Sequence, residues 1–270
     1  MPIIGWFCPS CCRPVPFDHF EGTACGGVHP DYAAAMLTDI REHEEKREGR
    51  EEGLIGVSYG IGCPRSKAIA STIDIYVNPL EWNSMMTGKA WHSVMERGCN
   101  NPELAEVEVK GEIEGFKLTG FIDRIRMTET GRVIEDWKHT NDYARKGIAS
   151  LTEPKPEHMV QLSIYAELHK QQFNLPVDNA IVWYHFSSGT PPMIPLRSSV
   201  WPIEKCLDFH PFGGDWSVRE LYQQMAASIA GKDWRELPLV GESQLFGTKN
   251  HCDYCDVRMV CWEDSRGAPF

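Results

Sequence analysis

The chain has 270 residues, ten cysteines, 42 % hydrophobic residues and a formal charge of −11. That is enough to bury a core, as one decorated domain or two small ones. The acidic balance excludes a protein that coats nucleic acid non-specifically and leaves open one that grips it in a local groove.

No apolar run approaches the ~18 residues of a membrane span. The start, Met1 to Cys8, lacks the basic stretch and long apolar core of a signal peptide, so a cytoplasmic protein without a membrane role is expected. In that compartment so many cysteines point to metal rather than disulfides.

Residues 1–30 are rich in Cys, Gly and Pro and show no sustained periodicity, so a metal-held knuckle or ribbon is expected. From Asp31 to about Glu52 the spacing of Ala33, Met36, Leu37 and Ile40 predicts a helix. Its mixed-sign run from Arg41 to Glu52 reads as a solvated face. A Gly-rich segment, Gly53 to Gly62, leads to Cys63-Pro64-Arg65. Trp82 to Arg97 reads as a helix carrying Gly88-Lys89-Ala90-Trp91-His92. Residues 104–114 alternate and read as a strand. Two further strands follow, then a helix over 157–173 and a short buried strand, Ala180 to Phe186. The Pro-rich stretch 191–202 is a strand or loop. Asp215 to Gly231 reads as a helix capped by Asp215 and stopped by Gly231.

The hairpin in the middle is the chemically informative segment. Gly120-Phe121-Ile122-Asp123 and Val133-Ile134-Glu135-Asp136-Trp137-Lys138 flank Thr128-Glu129-Thr130-Gly131, a turn. Folding about the Glu129–Thr130 midpoint sets Asp123 opposite Asp136. Asp136 and Lys138 share one strand face, and Glu135 points to the other. Two carboxylates and a lysine on half-buried strands are costly unless they bind something, and a divalent cation takes carboxylate oxygens. Taken singly, each residue is also an ordinary surface, salt-bridge or packing residue.

Together, His92 in Gly-Lys-Ala-Trp-His, Asp123 in Gly-Phe-Ile-Asp, Asp136-Trp137-Lys138, and Gln161 with Tyr165 resemble the PD-(D/E)xK nuclease superfamily. More narrowly, they resemble its RecB/AddB-type exonucleases, which include the CRISPR adaptation exonuclease. The resemblance runs over about residues 60–262, with the motifs in the family's order. It implies an α/β fold, a restriction-endonuclease-like core with a mixed central sheet flanked by helices. It also implies Mg²⁺ or Mn²⁺ on Asp123, Asp136, His92 and the Trp137 carbonyl. Lys138 would then act on the attacking hydroxide and the phosphorane, and Gln161 and Tyr165, one helical turn apart, would position Lys138 or the DNA.

The remaining cysteines extend the reading. Cys252-x-x-Cys255-x₅-Cys261, with Cys63 far upstream, matches the way the family's iron–sulfur members hold a [4Fe–4S] cluster. The resemblance implies such a cluster clasping the ends of the domain, with a four-cysteine zinc site as the alternative. Cys8-x-x-Cys11 with Cys25 and His29 (or Cys12 or His19) has the donors of a zinc site. Cys99 and Cys206 are expected to be free thiols.

The expected organisation is a cysteine-rich zinc-binding extension over 1–30, a helical connector over 31–60 and a nuclease domain over 61–270. The expected activity is metal-dependent DNA exonuclease action on single-stranded or frayed ends, in recombination, repair or CRISPR adaptation. Trp82, Trp91, Trp137 and Trp183 are candidates for stacking unpaired bases. A catalytically silent iron–sulfur and zinc scaffold, a redox protein and a flap- or prespacer-processing endonuclease are the alternatives. The expected partner is DNA; the family's members act alone, with helicases or in adaptation complexes with an integrase, and because the chain has no P-loop of the helicase type, any ATP-driven unwinding must come from elsewhere.

Overall fold

The computed structural model describes residues 3–8, 10–11, 13–21, 30–48, 54–73, 75–129, 131–140, 142–187, 194–212, 215–231, 233–238, 252, 255, 257–258 and 260–262. In chain order the elements are β1 (Ile3–Cys8), β2 (Arg13–Val15), α1 (Pro30–Glu48), β3 (Ile55–Gly56), α2 (Val57–Gly60), α3 (Pro64–Thr72), β4 (Ile75–Val77) and α4 (Pro79–Arg97). They continue with β5 (Ala105–Ile113), β6 (Phe116–Thr128), β7 (Gly131–Thr140), α5 (Arg145–Ala149), α6 (Pro156–Phe173), β8 (Asn179–Phe186), β9 (Ile194–Ser199), α7 (Ile203–Leu207) and α8 (Val218–Ile229). The chain divides into two units, one of residues 1–52, 63–87 and 224–270, the other of residues 53–62 and 88–223. No helix among the described residues is long and apolar enough to cross a membrane.

The second unit is built on a mixed six-stranded sheet, in the order β3-β6-β7-β8-β9 with β5 on β6. β5 and β6 are joined through Glu114 and Gly115, at φ of 56° and 81°. Positive φ at both central residues is what a two-residue hairpin turn demands, and glycine meets it without a Cβ clash. β6 and β7 close through Thr128↔Gly131 and pair rung by rung to Arg124↔Glu135, the register expected from the turn. β7 and β8 run parallel, so the chain must cross over between them, and α5 and α6 make that crossover. α6 starts on Pro156 and ends on Asn174, whose left-handed φ of 54° lets its N–H close on the Lys170 carbonyl.

One expectation needs correction here, and one left open is decided. The helix over 215–231 begins later, at Val218, because Ser217 and Glu220 form a capping box. The Glu220 carboxylate accepts from the Ser217 N–H and hydroxyl at 2.8 Å, and the Ser217 hydroxyl accepts from the Glu220 N–H at 3.3 Å. Asp215 therefore lies outside the cap. The Pro-rich stretch resolves into a strand, β9, antiparallel to β8.

In the first unit β1 lies between β2 and β4, antiparallel to one and parallel to the other. Residues 1–30 thus contain a hairpin where the sequence shows no periodicity, because strands this short offer too few alternations to read. Trp6 is fully buried and packs with Val15, Met36, Ile40, Val77 and Trp82, while its indole N–H donates to the Phe17 carbonyl at 3.2 Å. A second cluster joins Ala68 and Ile69 of α3 to Trp234, Leu237, Val257 and Cys261. The Arg65 guanidinium ties α3 to the same region by donating to the Leu237 and Arg235 carbonyls.

Candidate active site and cysteine centres

The catalytic candidates meet where β6 and β7 part. Their ladder runs to Arg124↔Glu135 and stops, although the next rung would pair Asp123 with Asp136. In place of that rung the Asp123 carboxylate accepts the Trp137 N–H at 2.6 Å. A side chain has taken the place of a backbone acceptor, so the buried donor stays satisfied while the strands separate. Both carboxylates are buried, Asp123 at 9 % exposure and Asp136 at 3 %.

On the α6 side of β7, Lys138 Nζ donates to Asp136 Oδ1 at 2.8 Å and to Gln161 Oε1 at 3.2 Å. Gln161 Nε2 in turn donates to the Tyr165 hydroxyl at 3.2 Å. Burial holds that phenol up at about 12, so it stays protonated as a fixed dipole. Tyr165 lies so close to β6 that a Cβ on Gly120 would stand 2.5 Å from its ring, which is why residue 120 carries no side chain. The chain Tyr165–Gln161–Lys138–Asp136 leaves the lysine little freedom.

Asp136 Oδ2 is buried and has no hydrogen-bond partner among the described residues. An anionic oxygen in that state is unfavourable by itself and suits a hard cation. His92, from α4, presents its Nε2 to the Trp137 carbonyl at 2.7 Å, and its Nδ1 lies 3.5 Å from Asp123. The Nδ1 also lies 3.8 Å from Glu106, a residue the sequence reading missed. His92, Glu106 and Asp123 each offer one ligand atom, all within 4.8 Å of one another. β5 and β6 pair at Ala105↔Arg124 and Val107↔Ile122, so Glu106 stands level with Asp123 between those rungs, at a φ of 49°. We expect Glu106→Gln to weaken Mn²⁺ binding roughly 10–100-fold by titration calorimetry; unchanged affinity would exclude Glu106 from the site.

The electrostatics fit a cation as well. Burial, then the charge of Asp136, push Asp123 up to about 7, against the pull of Lys138, His92 and the Trp137 N–H. Burial disfavours the Lys138 ammonium, yet Asp136 and Asp123 outweigh it and hold the lysine above its ordinary value. The neighbouring Glu106 carboxylate raises His92 against its burial, with the Asp123 charge adding to the rise. Without a cation the site therefore stores protons that a bound cation would displace.

β7 points its alternate residues to the opposite side. There Glu135, 3 % exposed, receives Arg126 at 2.6 Å and Arg124 at 3.5 Å. These residues, with Arg197, Trp137, Trp183 and Met95, line an open concavity of about 400 Å³. One carboxylate faces three guanidiniums there, a local positive site in an acidic chain. Among the four tryptophan candidates, Trp82 and Trp137 are buried and Trp91 stacks on His185 at a ring separation of 3.5 Å. Trp183 is half-buried at the concavity.

The cysteines named as ligands form two sets, both in the first unit, whereas Cys99 and Cys206 lie in the second. Cys63 precedes α3, and Cys255 Sγ donates to Ser66 Oγ at 3.5 Å, so this part of the C-terminal segment lies on the first turn of that helix. Cys261 packs in the cluster with Ala68 and Ile69. Cys63, Cys252, Cys255 and Cys261 lie outside any disulfide among the described residues, as do Cys99 and Cys206. Four soft thiol donors are chemically suited to a [4Fe–4S] cluster or zinc and unsuited to Mg²⁺. At the other end, Cys8, Cys11 and His19 come together. Cys25 and His29, named with them from the sequence, lie outside the described residues, as does Cys12.

Comparison with known proteins places the chain in a family. A family model described as the PD-(D/E)XK nuclease superfamily matches residues 31–262. The solved structure of SSO0001 is similar to this chain with a TM-score of 0.50 and 17 % identity, over 90 % of this chain and 98 % of its own. At that identity the likeness concerns the fold alone. Among curated proteins none matches the sequence.

Proposed function

Because the chain belongs to the PD-(D/E)XK nuclease superfamily, whose members are typically metal-dependent nucleases, we propose that it is a Mg²⁺- or Mn²⁺-dependent DNA exonuclease. The observation that carries this reading is the buried pair Asp123 and Asp136, with Asp136 Oδ2 unpartnered and Lys138 held beside it. Asp123, Asp136, His92 and Glu106 would hold the cation. When bound there it supplies a more acidic water and neutralises charge developing on the phosphate.

The protein's own groups do the rest. Lys138, fixed between Asp136 and Gln161, presents an ammonium to the attacking oxygen and the developing phosphorane. Gln161 and Tyr165 keep that ammonium from swinging away. His92 orients the Trp137 carbonyl. The preference for single-stranded or frayed ends is supported by the resemblance to the RecB/AddB-type exonucleases.

The reading extends to a [4Fe–4S] cluster on Cys63, Cys252, Cys255 and Cys261 of the RecB/AddB kind. Its support is the soft-donor chemistry of four cysteines outside any disulfide and the seating of Cys255 on the turn that follows Cys63. Such a cluster would clasp segments as far apart as the 189 residues between Ser66 and Cys255, which strongly restricts the unfolded chain. Work on DNA ends in recombination, repair or CRISPR adaptation, with a helicase or integrase as partner in the cytoplasm, completes the proposal.

The test uses oxygen-free protein and single-stranded DNA labelled at one end or the other. Mn²⁺- or Mg²⁺-dependent shortening from a labelled or an unlabelled end is expected, and the label position gives the polarity. Metal-dependent cleavage at internal sites would replace the exonuclease by a processing endonuclease. DNA binding without cleavage, by protein whose iron content is intact, would leave a scaffold instead.

A further inference from the structure

We propose that Cys8, Cys11 and His19 are three ligands of a structural Zn²⁺ site, separate from the catalytic metal. They precede residue 31, where the family match begins, so the nuclease reading does not account for them.

The geometry is that of a preformed site. β1 ends on Cys8, and β2 resumes with the rung Cys8↔Arg13, which leaves Cys11 in the connecting turn. The Cys11 N–H donates to Cys8 Sγ at 3.4 Å, a contact that favours sulfur as a thiolate. His19 comes from the short turn after β2 and lies with Nε2 3.6 Å from Cys11 Sγ. The three ligand atoms lie within 4.8 Å of one another. Tetrahedral zinc, with bonds of about 2.3 Å to sulfur and about 2.05 Å to nitrogen, sets such a pair about 3.6 Å apart. The observed sulfur–nitrogen separation already has that value.

The surroundings hold the donors in place. Cys8 is fully buried in the cluster with Trp6 and Val15, and Cys11 and Phe17 pack against that cluster. Trp6 fixes the His19 turn through its hydrogen bond to the Phe17 carbonyl. Two thiolates balance the charge of one Zn²⁺, and sulfur with imidazole selects zinc over Mg²⁺ or Mn²⁺. The carboxylate site around Asp123 has the opposite preference, so the two metals would not compete. A strand of six residues paired with one of three has little core of its own, which is where a metal staple contributes most. The fourth position is left to another donor of the chain or to water.

The experiment measures metals in full-length protein purified without oxygen and without a histidine tag. One zinc per chain is expected in addition to any iron. After replacement by Co²⁺, thiolate-to-cobalt charge-transfer bands and tetrahedral d–d bands are expected. Cys8→Ser and Cys11→Ser should each lose that zinc and leave the iron unchanged. Because those variants risk misfolding, His19→Cys is the second arm. It should retain zinc and gain thiolate-to-cobalt intensity, a change that loss of folding cannot mimic.

Zinc absent from wild type purified in its presence would overturn the proposal, and so would zinc retained in both serine variants. A Cys8–Cys11 disulfide in protein kept from oxygen would do the same. Metal-dependent DNA cleavage by wild type is measured alongside. Its failure with zinc present would count against the nuclease reading alone, and its success without zinc against this site alone.

Discussion

Asp123→Asn is expected to abolish metal-dependent cleavage, by at least ~10³-fold, and to stabilise the metal-free protein at pH 8. The first effect follows from removing one of two buried anions at the cation site, a loss worth about 4 kcal/mol of barrier on the rate scale. Asparagine keeps the shape, and its amide oxygen can still accept the Trp137 N–H that ends the β6–β7 ladder. The second effect is a matter of linkage. Burial, and then Asp136, raise Asp123 from 3.8 to about 7 in the folded chain. A carboxyl raised in this way is neutral and harmless in the fold at low pH. Its ionisation then reduces stability progressively as pH climbs from about 4 to about 7. Asparagine never ionises, so the advantage of the variant is absent at pH 4 and complete above pH 7. End-labelled cleavage in Mn²⁺ and thermal unfolding in chelator at pH 5 and pH 8 measure the two effects. Retained cleavage would move the cation elsewhere; an unchanged Tm at pH 8 would mean that Asp123 is not strained without metal.

Metal binding itself should depend steeply on pH. Asp123 at about 7, and His92 raised above its usual 6.5, both carry protons where a cation would bind. Each proton displaced weakens apparent affinity by roughly tenfold per pH unit below its pKa. Between pH 7 and pH 5 the loss of Mn²⁺ affinity should therefore reach roughly 10²–10⁴-fold, with cleavage at limiting metal falling in parallel. Both should level off once Asp123 and His92 are deprotonated. Calorimetry in two buffers of different protonation enthalpy counts the protons released. Asp123→Asn should remove about half a proton of that release at pH 7 and about a whole one by pH 6. A flat affinity from pH 5 to pH 8 would sink the assignment of these two groups as ligands.

Much of this site was legible because hairpins obey arithmetic. Thr128-Glu129-Thr130-Gly131 marks a turn, reflection about its midpoint sets Asp123 level with Asp136, and the observed register follows that reflection to the last rung. The same arithmetic about Glu114–Gly115 leads from Asp123 to Glu106. The signal for Glu106 was thus present, and that hairpin was not counted. Gln161 and Tyr165 were legible for a related reason, since a four-residue spacing sets two side chains on one helical face. Alternation along β7 likewise sends Glu135 away from Lys138, and Glu135 is found with Arg124 and Arg126.

Other features had no local signature. That Trp183 lies half-buried at a basic concavity, while Trp82 and Trp137 are buried, depends on which helices and strands cover each indole. His19 stands beside Cys11 because the Trp6–Phe17 hydrogen bond and the β1–β2 pairing bend the chain there.

The sequence by itself determined the longer helices and strands, the β6–β7 register and the chemical identity of the donors, because periods of two and of 3.6 residues, and turn chemistry, act over a few residues. Only the tertiary structure decided that the ladder breaks at Asp123, that Asp136 Oδ2 is left unpartnered and that Lys138 is fixed between two partners. Those outcomes arise where separate elements compete for the same buried hydrogen bonds and the same space, and no single stretch of chain records the result.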